Sequence, residues 1–562
     1  MVELVNYKRW NEYSALDPKL REEMNKMSEK ELFESFYTNM EFGTAGIRGI
    51  LGPGTNKMNI YTVRKASEAF ARYLLENVSN TLQRGIVIAH DNRNMSREFC
   101  IESAKVFATH GIKTFIFDSL RPTPELSYAV RDLKAAGGVV ITASHNPKEY
   151  NGYKVYDEEG CQLVPDLIDK LLVHYNAIND ELAIEVNEDK YESLVEVLPR
   201  TLDEKYYADV KKICLDNATN RKDLKVVYSP QHGTGYEGVK AIATSLGYDL
   251  VLVEDQCEPD PNFSNTITPN PEEKNAYVKA IEICKQVNAD LIITTDPDAD
   301  RIGVVTIDNG EPTYFTGNQM GAMLIEYVIL KHKENGTFKN NFKIFNTIVT
   351  SPLGAAIAKK NNIAVGSTLT GFKFIGEQIA LMQETNEYTY LFGYEESYGF
   401  LLSPICRDKD ALQATTIILE MALYYKNHGK TLKDVLDHIY EEYGYHYDKV
   451  ESLSLKGAEG LARIQEIMKT LRELDIPSLA GNKVAVKEDY LKQISVEGEL
   501  VTPITLPKSN VLRFVFEDGS FVAIRPSGTE PKCKFYYNIK GKTVEESNKR
   551  AADIKEAIAK LY

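Results

Sequence analysis

A chain of 562 residues with 43% hydrophobic and 26% charged side chains is long enough for about four globular domains and too apolar to be disordered. Its formal charge of −15 repels polyanions, which excludes extended binding to nucleic acid or an anionic membrane without a basic stripe, and the sequence has none. The opening MVELVNYKRWNEYS lacks a signal-peptide core and no run approaches the ~18 apolar residues of a membrane span, which points to the cytoplasm; seven scattered cysteines without C-x-x-C spacing indicate neither disulfides nor zinc.

Short β-branched runs alternating with helical stretches predict an α/β protein with parallel or mixed sheets. Strands are expected over 84–91, 113–118 and 137–143, separated by helices over 96–110 and 124–135, and the third strand runs into Ser144. The arrangement repeats with strands over 224–228, 249–254 and 289–295 and helices over 235–246 and 273–288, the last strand reaching Asp296. A third round has strands over 342–350, 363–370 and 388–395, the last reaching Glu395, before a helix in 408–427. After a helix over 457–474, residues 511–525 hold two strands joined by Asp518-Gly519, a hairpin signal, in a smaller α+β domain. The expected domains are 1–205, 206–308, 309–445 and 446–562. Ligands of open α/β sheets gather at the carboxyl ends of strands, so three polar loops delivered from such ends imply one composite site.

The loop TTDPDADRIG turns Asp296, Asp298 and Asp300 toward one point, a hard-oxygen set suited to Mg²⁺. A calcium EF-hand is excluded, because its sixth and twelfth positions are Arg301 and Ile307 instead of Gly and Glu; Arg301 reads as an anion contact. Ser144 lies in ITASHNPKEYNGYK, where Asn146-Pro147 blocks a helix and leaves the hydroxyl in an exposed turn. It fits neither G-x-S-x-G nor S-x-x-K, so acyl transfer is disfavoured. With His145 and Lys154 near it and an acidic metal loop in the same chain, Ser144 fits a phosphate carrier.

In RPSGTEPK, the residues Arg525, Ser527, Gly528, Thr529 and Lys532 follow the last predicted strand and suit a phosphate monoester. In FGYEESYGF, adjacent Glu395 and Glu396 on an extended segment face opposite ways and cannot flank one glycosidic bond, whereas Glu395 and Ser397 share a face and can hold neighbouring hydroxyls. GTAGIRG at 43–49 lacks the dinucleotide spacing, and Arg48 reaches toward a phosphate from that flexible loop. Gly371 and Lys373 in TGFKFIGE and Lys409 in CRDKDAL are further candidate contacts, and His232 in SPQHGTG reads as structural.

Taken together and in this order, TASHNP, DPDADR, GYEESYG and RPSGTEPK resemble the α-D-phosphohexomutase superfamily over nearly the whole chain, most closely its longer phosphoglucomutase branch and, after it, the phosphopentomutases. The resemblance implies three similar mixed-sheet α/β domains plus a smaller C-terminal α+β domain around a central cleft. It implies a phosphorylated Ser144 that binds Mg²⁺ with Asp296, Asp298 and Asp300. Glu395 and Ser397 would hold the sugar, Arg525, Ser527 and Thr529 the non-reacting phosphate, and Arg48, His145, Lys154 and Lys409 would surround the transfer site. The implied reaction interconverts glucose 1-phosphate and glucose 6-phosphate through glucose 1,6-bisphosphate, which also serves as activator. Phosphomannose and phosphopentose are the alternative substrates, and a Mg²⁺-dependent phosphatase or a non-catalytic sugar-phosphate sensor are the rival classes. Tyr394 departs from the relatives that place Gly directly before Glu395.

Overall fold

The computed structural model describes residues 2–43, 46–455, 457–527 and 532–562. They form two units: residues up to 314 with 372–390 and 398–424, and residues 315–371 with 391–397 and 425–562.

In the first unit, strands Ile86–His90 and Gly137–Ile141 are buried at every position, which demands helices on both faces of their sheet. Helix Thr123–Leu133 packs against both strands, while Ser96–Thr109 covers Ile86–His90 and itself packs on Ile60–Asn77. Asn59 caps the latter helix reciprocally with Thr62, satisfying otherwise orphaned N–H groups. The sheet runs Ile47–Ile50, Tyr150–Tyr156, Gly137–Ile141, Ile86–His90, Thr114–Ile116, Val195–Val197. The last four members are parallel and Tyr150–Tyr156 is antiparallel to its neighbours, so the chain leaving Gly137–Ile141 passes Ser144 and returns alongside itself with Lys154. Arg48 is therefore not in a flexible loop: its segment pairs as strand Ile47–Ile50 with Tyr150–Tyr153, which gives its backbone ladder partners.

A second mixed sheet runs Glu311–Phe315, Ile302–Asp308, Leu291–Thr295, Val226–Ser229, Leu250–Leu252. Ile302–Asp308 is antiparallel to Leu291–Thr295, so the acidic loop between them is a tight return at the strand's carboxyl end. Three N-terminal helices, Val2–Glu12, Pro18–Lys26 and Glu29–Phe36, were not apparent from the sequence pattern. Trp10 anchors them: fully buried, it meets Phe36 and Tyr61 edge-on at 5.7 and 5.3 Å, contacts of about 0.5–1.5 kcal/mol each beyond area burial, and its Nε1 donates to Glu181 Oε1 at 2.6 Å.

In the second unit, strand Phe342–Thr347 lies between Ala364–Thr368, to which it is parallel, and Thr389–Glu395. The C-terminal sheet runs Tyr445–Ser454, Lys532–Gly541, Phe521–Pro526, Leu512–Phe516, Asn482–Asp489, Ile494–Glu497, Leu500–Pro503. Its core joins Ile464, Ile467 and Leu471 of helix Gly457–Glu473 and Ile554 of helix Val544–Ala559 to Phe514, Ile524 and Phe535. The expected hairpin is present, with Gly519 at φ +83, a conformation glycine adopts without penalty. The chain thus holds three mixed-sheet α/β domains and a C-terminal α+β domain.

Candidate active site

Ser144 follows strand Gly137–Ile141 after two residues, and its N–H donates to Thr142 Oγ1 at 2.8 Å, closing a short turn. It is 4% exposed, not in the exposed turn the Asn-Pro pair suggests, because its hydroxyl is covered by the acidic loop and donates to Asp296 Oδ2 at 2.7 Å. Its φ of +52 places it in the left-handed region that a β-carbon disfavours. His145 Nδ1 lies 3.1 Å from Ser144 Oγ, and Arg48 Nη1 donates to Asn146 Oδ1 at 3.0 Å from the exposed side of the loop.

Asp296, Asp298 and Asp300 are all buried, and one oxygen of each lies within 4.8 Å of the others. At an effective dielectric of ~20, each pair of charges at that distance repels by about 3.5 kcal/mol. Nearby cations offset this only in part: Lys154 Nζ donates to Asp298 Oδ2 at 2.8 Å, and Lys409 Nζ is 3.1 Å from Asp300 Oδ2. Burial pulls the Lys154 ammonium toward neutrality, and Asp298 with Asp300 outweighs it, so Lys154 stays charged. Burial followed by repulsion from Asp298 and Asp300 pushes the Asp296 carboxyl well up; burial pushes Asp298 the same way, and Lys154 overcomes it, holding Asp298 well below the carboxylate range. Asp298 Oδ1 and Asp300 Oδ1 are buried without a hydrogen-bond partner. Three hard-oxygen side chains with two orphaned oxygens and residual mutual repulsion are the donor set a divalent cation such as Mg²⁺ satisfies, so the residues fit a metal.

His145 is held neutral, its pKa well below the usual imidazole value, by burial and then by Arg301 and Arg48. Arg301 Nη1 donates to Glu272, and its Nε is 3.8 Å from Asp300 Oδ1. Lys409 is steered by Asp408, which accepts from both its N–H and its ammonium, and Asp408 in turn accepts from Tyr156 OH at 2.8 Å. Lys373 sits in the first turn of helix Phe372–Thr385, buried, with its ammonium 5.2 Å from the Phe374 ring. Ser144, His145, Lys154, Arg48, Arg301, Lys409 and the three aspartates thus belong to one unit.

The remaining candidates belong to the other unit. Glu395 ends strand Thr389–Glu395, buried, and its Oε1 accepts from Gly371 N at 2.8 Å. Glu396 instead accepts from Thr347 Oγ1 at 3.1 Å and Thr350 Oγ1 at 3.3 Å, so the two carboxylates do part company. Ser397 is half-buried on the turn that follows. Tyr394 points into the core between helices, filling room left by Gly321 and Gly354, where an added Cβ would come within 2.5 and 2.3 Å of its ring and hydroxyl. Arg525 hydrogen-bonds Tyr536, whose hydroxyl also feels the Glu396 and Glu395 charges, which brings the phosphate motif and the Glu395 turn into one neighbourhood. Ser527 N donates to Lys532 O at 2.8 Å; Gly528 and Thr529 lie outside the described residues.

Two supports of the acidic loop carry no signature of their own in the sequence. Thr123, opening a helix, donates from its N–H to the Asp298 carbonyl and from Oγ1 to Asp298 Oδ2, both at 2.9 Å. Gly233 packs flat on Pro297: an added Cβ would stand 2.4 Å from Pro297 Cα and 2.5 Å from its oxygen, while Thr234 N donates to that same oxygen at 2.8 Å. His232, beside it, is structural, with Nδ1 2.8 Å from Glu258 O and Nε2 accepting from Asn265 N. The usable signal is position, since each of these loops follows the carboxyl end of a strand, as Ser144 and Asp296 do.

Four family models match the chain in order. They are phosphoglucomutase/phosphomannomutase alpha/beta/alpha domain I over residues 39–181, domain II over 204–310, domain III over 316–443, and the C-terminal domain over 458–561. A phosphoglucomutase of Staphylococcus epidermidis is 40% identical over 521 residues, 92% of this chain and 93% of that protein. Two crystal structures share the fold: a phosphoglucomutase/phosphomannomutase family protein of Burkholderia thailandensis, 18% identical, with a TM-score of 0.68 over 92% of this chain and 97% of that one, and parafusin, a phosphoglucomutase of Paramecium, 21% identical, with a TM-score of 0.67 over 93% and 96%. Among the described residues no helix is long and apolar enough to cross a membrane.

Proposed function

Since the chain belongs to the phosphoglucomutase/phosphomannomutase family, we propose that it is a phosphoglucomutase, an intramolecular phosphotransferase of the isomerase class that interconverts glucose 1-phosphate and glucose 6-phosphate. The observation that carries the reading is the Ser144 hydroxyl held 2.7 Å from Asp296 among three buried aspartates, two of them with orphaned oxygens, and two lysines.

In this reading Ser144 carries a phosphoryl group, with Asp296, Asp298, Asp300 and the phosphoserine as the ligands of Mg²⁺, which supplies charge neutralisation at the transferring group. A sugar hydroxyl attacks phosphorus: the bond to Ser144 Oγ breaks, the bond to the sugar oxygen forms, and the hydroxyl proton passes to His145, the neutral group beside the serine, while the Lys154 and Lys409 ammoniums offset the charge of the transferring group. The product, glucose 1,6-bisphosphate, turns end for end and returns its other phosphoryl to Ser144; the same compound, added from outside, serves as activator by phosphorylating idle enzyme. Two phosphates of about two charges each, ~6 Å apart at a dielectric of ~20, repel by roughly 11 kcal/mol, so cations at both ends are required. Arg48 and Arg301 serve the transfer end. For the sugar we assign Glu395 and Ser397 with Gly371 and Lys373, and for the distal phosphate Arg525, Ser527, Gly528 and Thr529. The division at 1–205, 206–308, 309–445 and 446–562 gives each domain one of these loops, and the setting is cytoplasmic.

The test is product analysis with purified protein, glucose 1-phosphate, Mg²⁺ and a trace of glucose 1,6-bisphosphate. A mutase conserves ester phosphate, whereas a phosphatase releases inorganic phosphate. Turnover should vanish on chelation, return with Mg²⁺, and be absent in Ser144→Ala, which should also fail to take up phosphate from labelled bisphosphate. Full isomerisation by Ser144→Ala sinks the reading. Comparison of kcat/KM across glucose, mannose, ribose and deoxyribose 1-phosphates fixes the sugar.

A further inference from the structure

The loop that carries Ser144 has few backbone partners of its own, and Arg93 from a different strand end supplies them. Arg93 follows strand Ile86–His90 and is 3% exposed. Its Nη1 donates to the carbonyls of Pro147 at 2.9 Å and Tyr150 at 3.1 Å, and its Nη2 donates to those of Ser144 and Asn146. One rigid fork thereby ties four carbonyls of a seven-residue turn, a task its planar geometry suits and a lysine's single point charge does not. Two groups fix the fork. Asp91 Oδ2 lies 3.3 Å from Nε while Asp91 Oδ1 accepts from Arg93 N–H and Ser96 Oγ, and the Phe263 ring lies 5.1 Å from the guanidinium carbon. Phe263 comes from the loop after strand Leu250–Leu252, and Asn92 Nδ2 donates to Asp260 O of that loop at 2.9 Å.

We propose that Arg93, braced by Asp91 and Phe263, is the positioning residue that holds Ser144 in its left-handed conformation against the acidic loop, so that the hydroxyl is pre-set for phosphoryl exchange. The role deepens the mutase reading and rests on it. Arg93 bonds the carbonyls of Ser144 and its neighbours and not the Ser144 hydroxyl, whose partners are His145 and Asp296, so it acts through the loop backbone. Misplacing a reacting group by ~1 Å costs on the order of 10²-fold in rate without a matching loss of binding. Sugar binding by residues elsewhere in the chain is left intact, so the effect falls on kcat and not on KM.

Two variants test it. Arg93→Lys keeps the charge and loses the fork: kcat should fall about 10²-fold with KM within about threefold, and amide exchange at 145–151 should quicken while strand Gly137–Ile141 is unchanged. Phe263→Leu leaves every hydrogen bond of Arg93 in place and should lower kcat about 3- to 10-fold with the same local exchange signature. Arg93→Lys with kcat within twofold of wild type, or with lost kcat and unaltered exchange at 145–151, overturns the proposal. If Arg93→Lys does not fold by circular dichroism, Phe263→Leu decides by the same two readouts. Wild-type protein that fails to isomerise sugar phosphate sinks the functional reading instead, and exchange at 145–151 in the two variants then still decides whether Arg93 orders the loop.

Discussion

Gly233→Ala tests whether the acidic loop is held in place by packing from outside. The new Cβ would stand 2.4 Å from Pro297 Cα, 2.5 Å from its oxygen and 2.8 Å from its carbonyl carbon, all backbone atoms with no rotamer to yield. Restoring van der Waals contact near 3.4 Å requires either segment to move by about 1 Å. The acidic side is one residue from both Asp296 and Asp298 and is tied by Thr234 N. Overpacking of this kind costs about 1–3 kcal/mol. At about 2–4 °C per kcal/mol for a domain of 150–250 residues, the melting transition should drop by about 2–12 °C. A 1 Å displacement of the carboxylates should lower kcat by about 10²-fold and raise the Mg²⁺ concentration needed for half-maximal rate. Calorimetry and a coupled assay of glucose 6-phosphate formation across a Mg²⁺ series measure both. An alanine variant that melts within about 1 °C of wild type and keeps kcat within twofold would refute the argument.

Two further outcomes are expected. His90 is buried, with Nδ1 2.8 Å from Asp91 O, and burial, then the Arg97 and Arg121 charges, lowers it to about 4. The unfolded chain binds that proton up to about 6.5, so stability rises with pH between about 4 and 6.5 and about 2–3 kcal/mol is lost on acidification through that window. Urea titrations at pH 4.5 and 7 should show the loss in wild type and a smaller one in His90→Gln; identical pH dependences would refute the assignment. Glu395→Gln removes the charge that Gly371 N bonds to and that we assign to the sugar hydroxyls, and should lower kcat/KM for glucose 1-phosphate about 10- to 100-fold without changing the melting temperature by more than about 2 °C. Unchanged kinetics would take Glu395 out of the site.

Strands with strong β-branched runs were legible because burial on both faces imposes a simple apolar pattern: 137–143, 289–295 and 388–395 appear as Gly137–Ile141, Leu291–Thr295 and Thr389–Glu395. Helices over 96–110 and 235–246 appear as Ser96–Thr109 and Gly235–Leu246. The stretch 273–288 divides into a 3₁₀ turn at Lys274–Tyr277 and helix Val278–Val287. Strand Tyr150–Tyr156 was not expected, because YNGYKVY mixes Gly, Asn and Lys and its stability comes from two flanking strands. The same holds for Ile47–Ile50, four residues that owe their extended form to pairing partners a hundred residues away. At the site, contiguous motifs such as DPDADR were readable as chemistry, since three carboxylates in five residues announce themselves. Arg93, Thr123 and Gly233 were not, because each serves a loop distant in sequence and only the fold brings donor and acceptor together.

The slot that receives Tyr394 has an evolutionary corollary. Gly321 and Gly354 are small because the phenol ring occupies the volume their side chains would need, so the three positions form one steric unit. A lineage that shrinks residue 394 frees the two helices to acquire alanine or serine there, while any single enlargement in this chain is a dead end until the ring is lost. The bulk at position 394 is thus exchanged against two glycines inside the protein, behind the strand, and divergence at these three sites should be correlated.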